Sequence, residues 1–266
     1  MECGRFSINI RIIMLSRLAL HRGAGNKWYK HAGGGSAPNS GGSFTTSGMV
    51  LYLDANNPSS YTSGNVWYDL SGAGNNGSFS TAPTLTSVSN RYFEFDGTND
   101  YVTLPNTSLD IRTQMTVSAW VQWNTFDLNM IYGIGYDNAT SQEQFQLRTY
   151  NGNLETGTFG GGLTSIVQAS LSGNNIVTNQ WYMITSVFTS SYDFELYVND
   201  QMVGSLSRGI ILNDSGNPPV IGATITGGNY GRYFNGNIGE VYVYNRDLSS
   251  AEVQDNFNAT RLTYGV

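Results

Sequence analysis

Short segments in which apolar and polar residues alternate recur between residues 49 and 244, and Gly-, Asn- and Ser-rich turns separate them. The clearest segment is Met115–Trp123, in which every second residue is apolar. Alternation with a period of two indicates a strand with one buried face, and frequent turns favour antiparallel pairing. The pattern therefore predicts an all-β fold, an antiparallel β-sandwich of ten or more strands.

Composition supports this prediction. Only 12% of the residues are charged, whereas long surface helices need Glu, Lys and Arg. Aromatic residues make up 13% of the chain, which argues against a wholly disordered protein. Besides Met115–Trp123, the alternation and the turns predict strands at Met49–Leu53, Arg91–Asp96, Tyr101–Leu104, Trp181–Phe188, Phe194–Val198, Gln201–Gly204 and Ile238–Tyr244.

One short helix is expected near the end of the chain. Ser249 and Glu252 have the spacing of a capping box, in which each side chain binds the backbone N–H of the other. Leu248 and Val253 have the spacing of a hydrophobic staple around the same helix start. The sequence therefore predicts a helix that closes the domain.

Charge divides the chain into an arm, a linker and a domain. Residues 1–44 carry about +5, and the rest of the chain, which has no Lys, carries about −11. We predict a basic anchoring arm at 1–31, a Gly/Ser-rich linker at 32–48 and a β-sandwich at 49–266. The basic residues of the arm are Arg5, Arg11, Arg17, Arg22, Lys27 and Lys30.

The positions of histidine and cysteine narrow the possible chemistry. His21, His31 and the single cysteine, Cys3, all lie in the arm. The domain therefore has no residues for a Ser-His-Asp mechanism or for a His/Cys zinc site. Carboxylates remain as candidates for glycoside hydrolysis, which needs two of them close together. Glu94, Glu195 and Glu240 share one alternation phase, but the strand GEVYVYN carries a single carboxylate. We expect no enzymatic activity.

Six blocks follow one another along the chain: LYLDANNPSSY, VWYDLSGAGNNGSF, FEFDGTNDYV, MTVSAWVQW, WYMITSVF with LYVNDQMVGS, and FNGNIGEVYVYNRDLSSAEV. In this order they resemble the laminin G-like branch of the concanavalin A-like lectin/glucanase superfamily, as found in phage structural and bacterial surface proteins. The resemblance covers about residues 49–261 and implies a jelly-roll β-sandwich. The fold alone does not define a function, because lectins, adhesins, enzymes and spacers share it.

The resemblance also implies calcium as a cofactor, bound on one rim of the sandwich by Asp and Asn side chains. The candidate ligands are Asp137, Asn138 and Gln142, which lie on a loop between two strands. Asp96 and Asp100, which flank a tight turn, are a second candidate pair. Turn formation is the alternative explanation at both places.

Aromatic residues suggest two places for a glycan. Trp120, Tyr197 and Tyr242 fall on the strand faces opposite the apolar ones, where their rings could stack on sugars. A loop that carries Tyr230, Arg232 and Tyr233 offers a second binding rim. The alternative is that these aromatics are themselves part of the core.

Together these features predict a non-enzymatic, lectin-like module on the surface of a virion, as a phage capsid decoration, fibre or tail appendage. The expected partners are other structural proteins, held through residues 1–44, and surface glycans. We expect many copies or a homo-oligomer, no specific nucleic acid and no membrane span. The alternatives are a secreted or cell-surface bacterial adhesin, a carbohydrate-active hydrolase and an inert spacer.

Overall fold

A computed structural model describes residues 21–22, 28–29, 43–81, 83–86, 90–109, 112–135, 144–159, 165–207, 216–226 and 228–266. The chain divides into two compact units, Met1–Ala37 and Pro38–Val266. In the first unit, β1 (His21–Arg22) pairs with β2 (Trp28–Tyr29) in an antiparallel hairpin.

The second unit is built almost entirely of strands. Its helices within the described residues are α1 (Asn106–Leu109), α2 (Ser250–Thr260) and a 3-10 turn at Arg261–Tyr264. The strands are β3 (Met49–Asp54), β4 (Val66–Trp67), β5 (Gly77–Phe79), β6 (Thr84–Leu85), β7 (Phe93–Asp96), β8 (Val102–Thr103), β9 (Met115–Trp123), β10 (Asn129–Ile134), β11 (Gln144–Tyr150), β12 (Asn153–Phe159), β13 (Ser165–Ser170), β14 (Trp181–Phe188), β15 (Asp193–Val198), β16 (Gln201–Ser207), β17 (Pro219–Ile221), β18 (Thr224–Thr226), β19 (Asn229–Gly231) and β20 (Asn235–Tyr244).

In the described part of the chain, two large antiparallel sheets face each other. The first sheet has the strand order β16-β15-β14-β9-β20-β7-β6, and β3 pairs with the second half of β20. The second sheet has the order β13-β12-β11-β10-β17-β8-β5-β4, and β18 and β19 form a separate hairpin. This arrangement confirms the predicted jelly-roll β-sandwich.

The hydrophobic core lies between the two sheets. Along β9 and β14 the core side chains alternate with side chains that point outward, as the sequence pattern predicts. One polar contact crosses the core, between the hydroxyls of Thr156 and Ser186, 2.6 Å apart. The largest fully buried side chains of this core are Trp67, Trp123, Tyr132, Phe93, Phe95, Phe145, Phe188 and Phe194.

Most of the first sheet could be predicted, but much of the second could not. The predicted strands Met115–Trp123 and Trp181–Phe188 coincide with β9 and β14. No bounds were predicted for the strands β10 to β13, although a loop between two strands was expected at Asp137. Their inward positions include threonines such as Thr156, and their outward positions carry Gln, Arg and Glu, so the contrast between the two faces is weak.

The predicted boundary between linker and domain, at residue 49, lies too late. Phe44 packs on Tyr242, with ring centroids 5.1 Å apart. The N–H of Thr45 donates to the side chain of Asn256 in α2. The last residues of the expected linker therefore belong to the domain, because an aromatic side chain anchors them to the outer face of the first sheet.

The predicted helix is confirmed as α2. Ser249 is its N-cap and forms a capping box with Glu252, whose Oε2 accepts from the N–H of Ser249 at 2.9 Å. Leu248 and Val253 are both buried, as a hydrophobic staple requires.

Ser249→Ala should lower the free energy of unfolding by about 1 kcal/mol, because the N–H of Glu252 loses its cap. Ser250→Ala, at an exposed position next to it, is the matched control. Chemical denaturation of both variants measures the difference. Equal stability of the two variants would contradict the role of the capping box.

Candidate functional site

The aromatic residues predicted to form a glycan platform do point away from the core of the sandwich, but they are buried. Trp120 and Tyr242 have 0% of their surface exposed, and Tyr197 has 1%. They belong to a second hydrophobic cluster, which includes Leu248 and Phe257. The prediction of an open platform at Trp120 and Tyr242 is therefore wrong, because another part of the chain covers them.

The cover consists of α2 and the 3-10 turn that follows it. Trp120 stacks on Tyr264, with ring centroids 4.3 Å apart, and on Phe257 at 5.9 Å. Its indole N–H donates to the hydroxyl of Thr260 at 2.8 Å. Gly239 makes room for this contact, since a Cβ at that position would lie 2.3 Å from the hydroxyl of Tyr264.

Tyr197 lies at the edge of this cover. Its hydroxyl donates to Oε2 of Glu195 at 2.7 Å. Both residues line a cleft of about 430 Å³ between β15, β16 and the start of α2, together with Met202 and Asp247. Tyr197 therefore reaches the edge of this cleft although only 1% of its surface is exposed.

A buried pair of carboxyl groups lies under the same cover. Glu240 and Asp54 are directly opposite each other on β20 and β3, and both are buried. Burial, and to a smaller extent the charge of Asp54, raises the pKa of Glu240 well above its usual value. The hydroxyl of Tyr264 lies next to the carboxyl group of Glu240 and partly offsets the rise in its pKa. No local pattern predicts this pair, because its members lie almost 190 residues apart.

These carboxylates do not form an open catalytic site. Glu94 is exposed on β7, Glu195 is bonded to Tyr197, and Glu240 is sealed beneath Tyr264. The three glutamates that share an alternation phase therefore lie in three different environments. The Glu240–Asp54 pair itself is buried, with 4% of Glu240 and 8% of Asp54 exposed.

The predicted binding rim is more open. The rings of Tyr101 and Tyr230 stack with centroids 4.0 Å apart and an interplanar angle of 17°, and Tyr233 lies 6.3 Å from Tyr101. All three are half-buried and pack on Val220 and its neighbours on the outer side of the second sheet. With Arg232, these residues form the tyrosine rim (Tyr101, Tyr230, Arg232 and Tyr233).

Arg232 connects the tyrosine rim to a polar cluster that the sequence reasoning missed. Its guanidinium donates to Oε1 of Gln146 at 3.3 Å, and Arg148 donates to the same atom at 3.0 Å. Arg148 also forms a buried ion pair with Glu155, with Nε and Oε2 2.9 Å apart. Arg232 has a positive φ of 57°, which is uncommon for a residue with a side chain. The rim therefore combines aromatic rings with a cation held in a fixed place.

The calcium prediction is not tested here. Asp137, Asn138 and Gln142 lie outside the described residues, and their role stays a prediction. At the second candidate, Oδ1 of Asp96 accepts from the N–H of Thr98 at 2.7 Å, and Oδ2 of Asp100 accepts from the N–H of Asp96 at 3.1 Å. Turn formation therefore explains both carboxylates. In the described ranges, no group of three or more His, Cys, Asp or Glu residues could hold a metal ion.

Two further predictions concern anchoring. Arg5, Arg11, Arg17, Lys27 and Lys30 lie outside the described residues, and for Arg22 only the backbone is described. No helix within the described ranges is long and apolar enough to cross a membrane.

Residues 96–254 match the family model Laminin_G_3, described as the concanavalin A-like lectin/glucanases superfamily. No curated protein sequence matches the chain.

Several solved structures share the fold. The binding domain of Paraclostridial Mosquitocidal Protein 1 aligns with a TM-score of 0.60 at 18% identity, over 80% of this chain and 52% of that one. The chain therefore spans about half the length of this toxin domain. Domain 4 of AbnA, a GH43 extracellular arabinanase from Geobacillus stearothermophilus solved with arabinotriose, aligns with a TM-score of 0.60 at 16% identity, over 79% and 98% of the two chains. The CBM40 of a Ruminococcus gnavus IT-sialidase, bound to α2,3-sialyllactose, aligns with a TM-score of 0.52 at 16% identity, over 61% and 94%.

Glu240→Gln should raise the free energy of unfolding relative to the natural chain, and the gain should grow as the pH rises from 4.5 toward neutrality. The ordinary pKa of a glutamate is 4.5, and burial raises the pKa of Glu240 in the folded state. The contribution of Glu240 to the free energy of unfolding is therefore most favourable below pH 4.5, where Glu240 is protonated in both states, and it falls as the pH rises toward the raised pKa. Denaturation at a series of pH values measures the gain.

Glu94→Gln, at an exposed position on neighbouring β7, is the control for removal of one negative charge. A difference between Glu240→Gln and the natural chain that does not change with pH would contradict the raised pKa.

Proposed function

We propose that this chain, which belongs to the concanavalin A-like lectin/glucanase superfamily, is a non-catalytic module that binds glycans at the tyrosine rim. The observation that carries the proposal is the half-exposed stack of Tyr101 and Tyr230 beside Arg232. Aromatic faces pack on the apolar faces of sugar rings, and a guanidinium binds hydroxyl or carboxylate oxygens.

Two features of the rim favour binding. Each ring is supported by another ring or by Val220, Ala223 and Ile225, so little side-chain freedom is lost when a ligand binds. The hydroxyls of Tyr101 and Tyr230 are phenols, which are protonated at neutral pH and can donate hydrogen bonds to a sugar. The similar folds solved with arabinotriose and with α2,3-sialyllactose are consistent with a glycan ligand.

Titration of the full chain with α2,3-sialyllactose and with arabinotriose, followed by calorimetry, tests the proposal. We expect at least one of them to bind and Tyr230→Ala to weaken that binding at least about tenfold, because one face of the stack is lost. Tyr230→Phe, which keeps the ring, should retain most of the affinity. Failure of both glycans to bind, or equal binding by the natural chain and Tyr230→Ala, would contradict the proposal.

We further propose that the domain is displayed on a larger assembly, most simply a phage virion, and that the basic arm anchors it there. The support is the division of charge between an arm of about +5 and a Lys-free, acidic body. An acidic partner would attract the basic arm, and repulsion between like charges would keep the acidic domains apart from one another.

Removal of residues 1–37, the first compact unit, should abolish incorporation into native particles, while the remaining domain keeps the thermal stability of the full chain. Incorporation is measured in purified particles that carry either the full or the shortened chain. Normal incorporation of the shortened chain would contradict the anchoring role.

A further inference from the structure

The outer face of the first sheet is not covered everywhere. Beyond the reach of α2, one row of side chains crosses five neighbouring strands, each residue directly opposite the next. Since neighbouring strands lie about 4.8 Å apart, the row is about 19 Å long. We call it the amide row, and its members are Trp181, Gln122, Asn237, Glu94 and Thr84.

A hydrogen bond joins the two side chains at the centre of the amide row, and each of them keeps a further polar group. Asn237 Nδ2 donates to Oε1 of Gln122 at 2.6 Å. Within the described residues, Nε2 of Gln122 and Oδ1 of Asn237 have no hydrogen-bond partner. Gln122 is half-buried and Asn237 is buried, so this donor and this acceptor stand side by side at the floor of the row, an arrangement that suits neighbouring hydroxyls of a sugar that reaches them.

A second polar row continues this pattern two residues farther along the strands. Asn124 Nδ2 donates to Oδ1 of Asn235 at 3.1 Å, and Asn235 lies opposite Asp96. Glu94 and Asp96 are exposed at one side of the two rows. Carboxylates accept hydrogen bonds from hydroxyls strongly and repel anions, so these rows favour an uncharged ligand.

Trp181 supplies a firmly held aromatic ring at one end. It packs edge-on against Tyr92, with centroids 5.4 Å apart, and it contacts Tyr264 at 4.7 Å. Trp181 nevertheless remains half-exposed. The cover that buries Trp120 thus holds Trp181 in place without sealing it.

From this geometry we propose a second glycan site, at the amide row, that binds a neutral oligosaccharide. The site lies on the side of the sandwich opposite the tyrosine rim, because the rim packs on the outer side of the second sheet. The two sites differ in charge, since the rim carries Arg232 and the amide row carries Glu94 next to Asp96. The chain can therefore hold two glycans at once.

Calorimetric titration of the full chain with cellohexaose, xylohexaose and arabinohexaose tests the second site. At least one hexasaccharide should bind, and Gln122→Ala and Glu94→Ala should each lower its affinity about fivefold, because each loses one hydrogen bond. Gln201→Ala, at an exposed strand position on β16, should change the affinity less than twofold.

A measurement on the natural chain covers the case in which a variant fails to fold. The side-chain amide resonances of Gln122 and Asn237 should shift when the hexasaccharide is added. The proposal of a second site is wrong if none of the three hexasaccharides binds, or if one binds without shifting these resonances. Loss of binding in Tyr230→Ala but not in Gln122→Ala would assign the neutral glycan to the rim alone. The site at the rim is tested separately by the trisaccharide titration, so either site can fail without the other.

Discussion

The stack of Trp120 on Tyr264 determines which surfaces of this sandwich are available to a ligand. It is formed between the middle of the first sheet and the last residues of the chain, with centroids 4.3 Å apart. The ring of Tyr264 can lie there only because residue 239 is a glycine. This contact, with the capped helix before it, turns a face rich in aromatic rings into a second core. It also places a buried pair of acids, Glu240 and Asp54, beneath the cover.

The sequence was sufficient to predict which way the side chains of the first sheet point. Met115–Trp123 has the strict period of a strand, and Trp120 does face outward with Tyr242, as predicted. Alternation, however, assigns a residue to a face and does not say what lies on that face. The helix was predicted correctly from Ser249 and Glu252, but its docking partners depend on long-range packing that a local pattern does not contain.

The tyrosine rim and the amide row also depend on long-range contacts that a local sequence pattern does not contain. Tyr230, Arg232 and Tyr233 were recognised as a rim because aromatic and basic residues lie close together in one loop. Their connection to Gln146 and Arg148 depends on pairing between strands that were not predicted. Gln122 and Asn237, which are 115 residues apart, become neighbours only through the register of β9 with β20. A site built from such pairs can be predicted only when the pairing and register of the strands are known.

The most direct test of how the chain distributes its aromatic surface is the hydrogen exchange of its tryptophan indole N–H groups, measured by NMR on the full chain. The indole N–H of Trp120, bonded to Thr260 under the cover, should exchange roughly a hundredfold more slowly than that of half-exposed Trp181. Similar exchange rates for Trp120 and Trp181 would show that the C-terminal segment does not seal this face, and would restore the open aromatic platform that the sequence predicts.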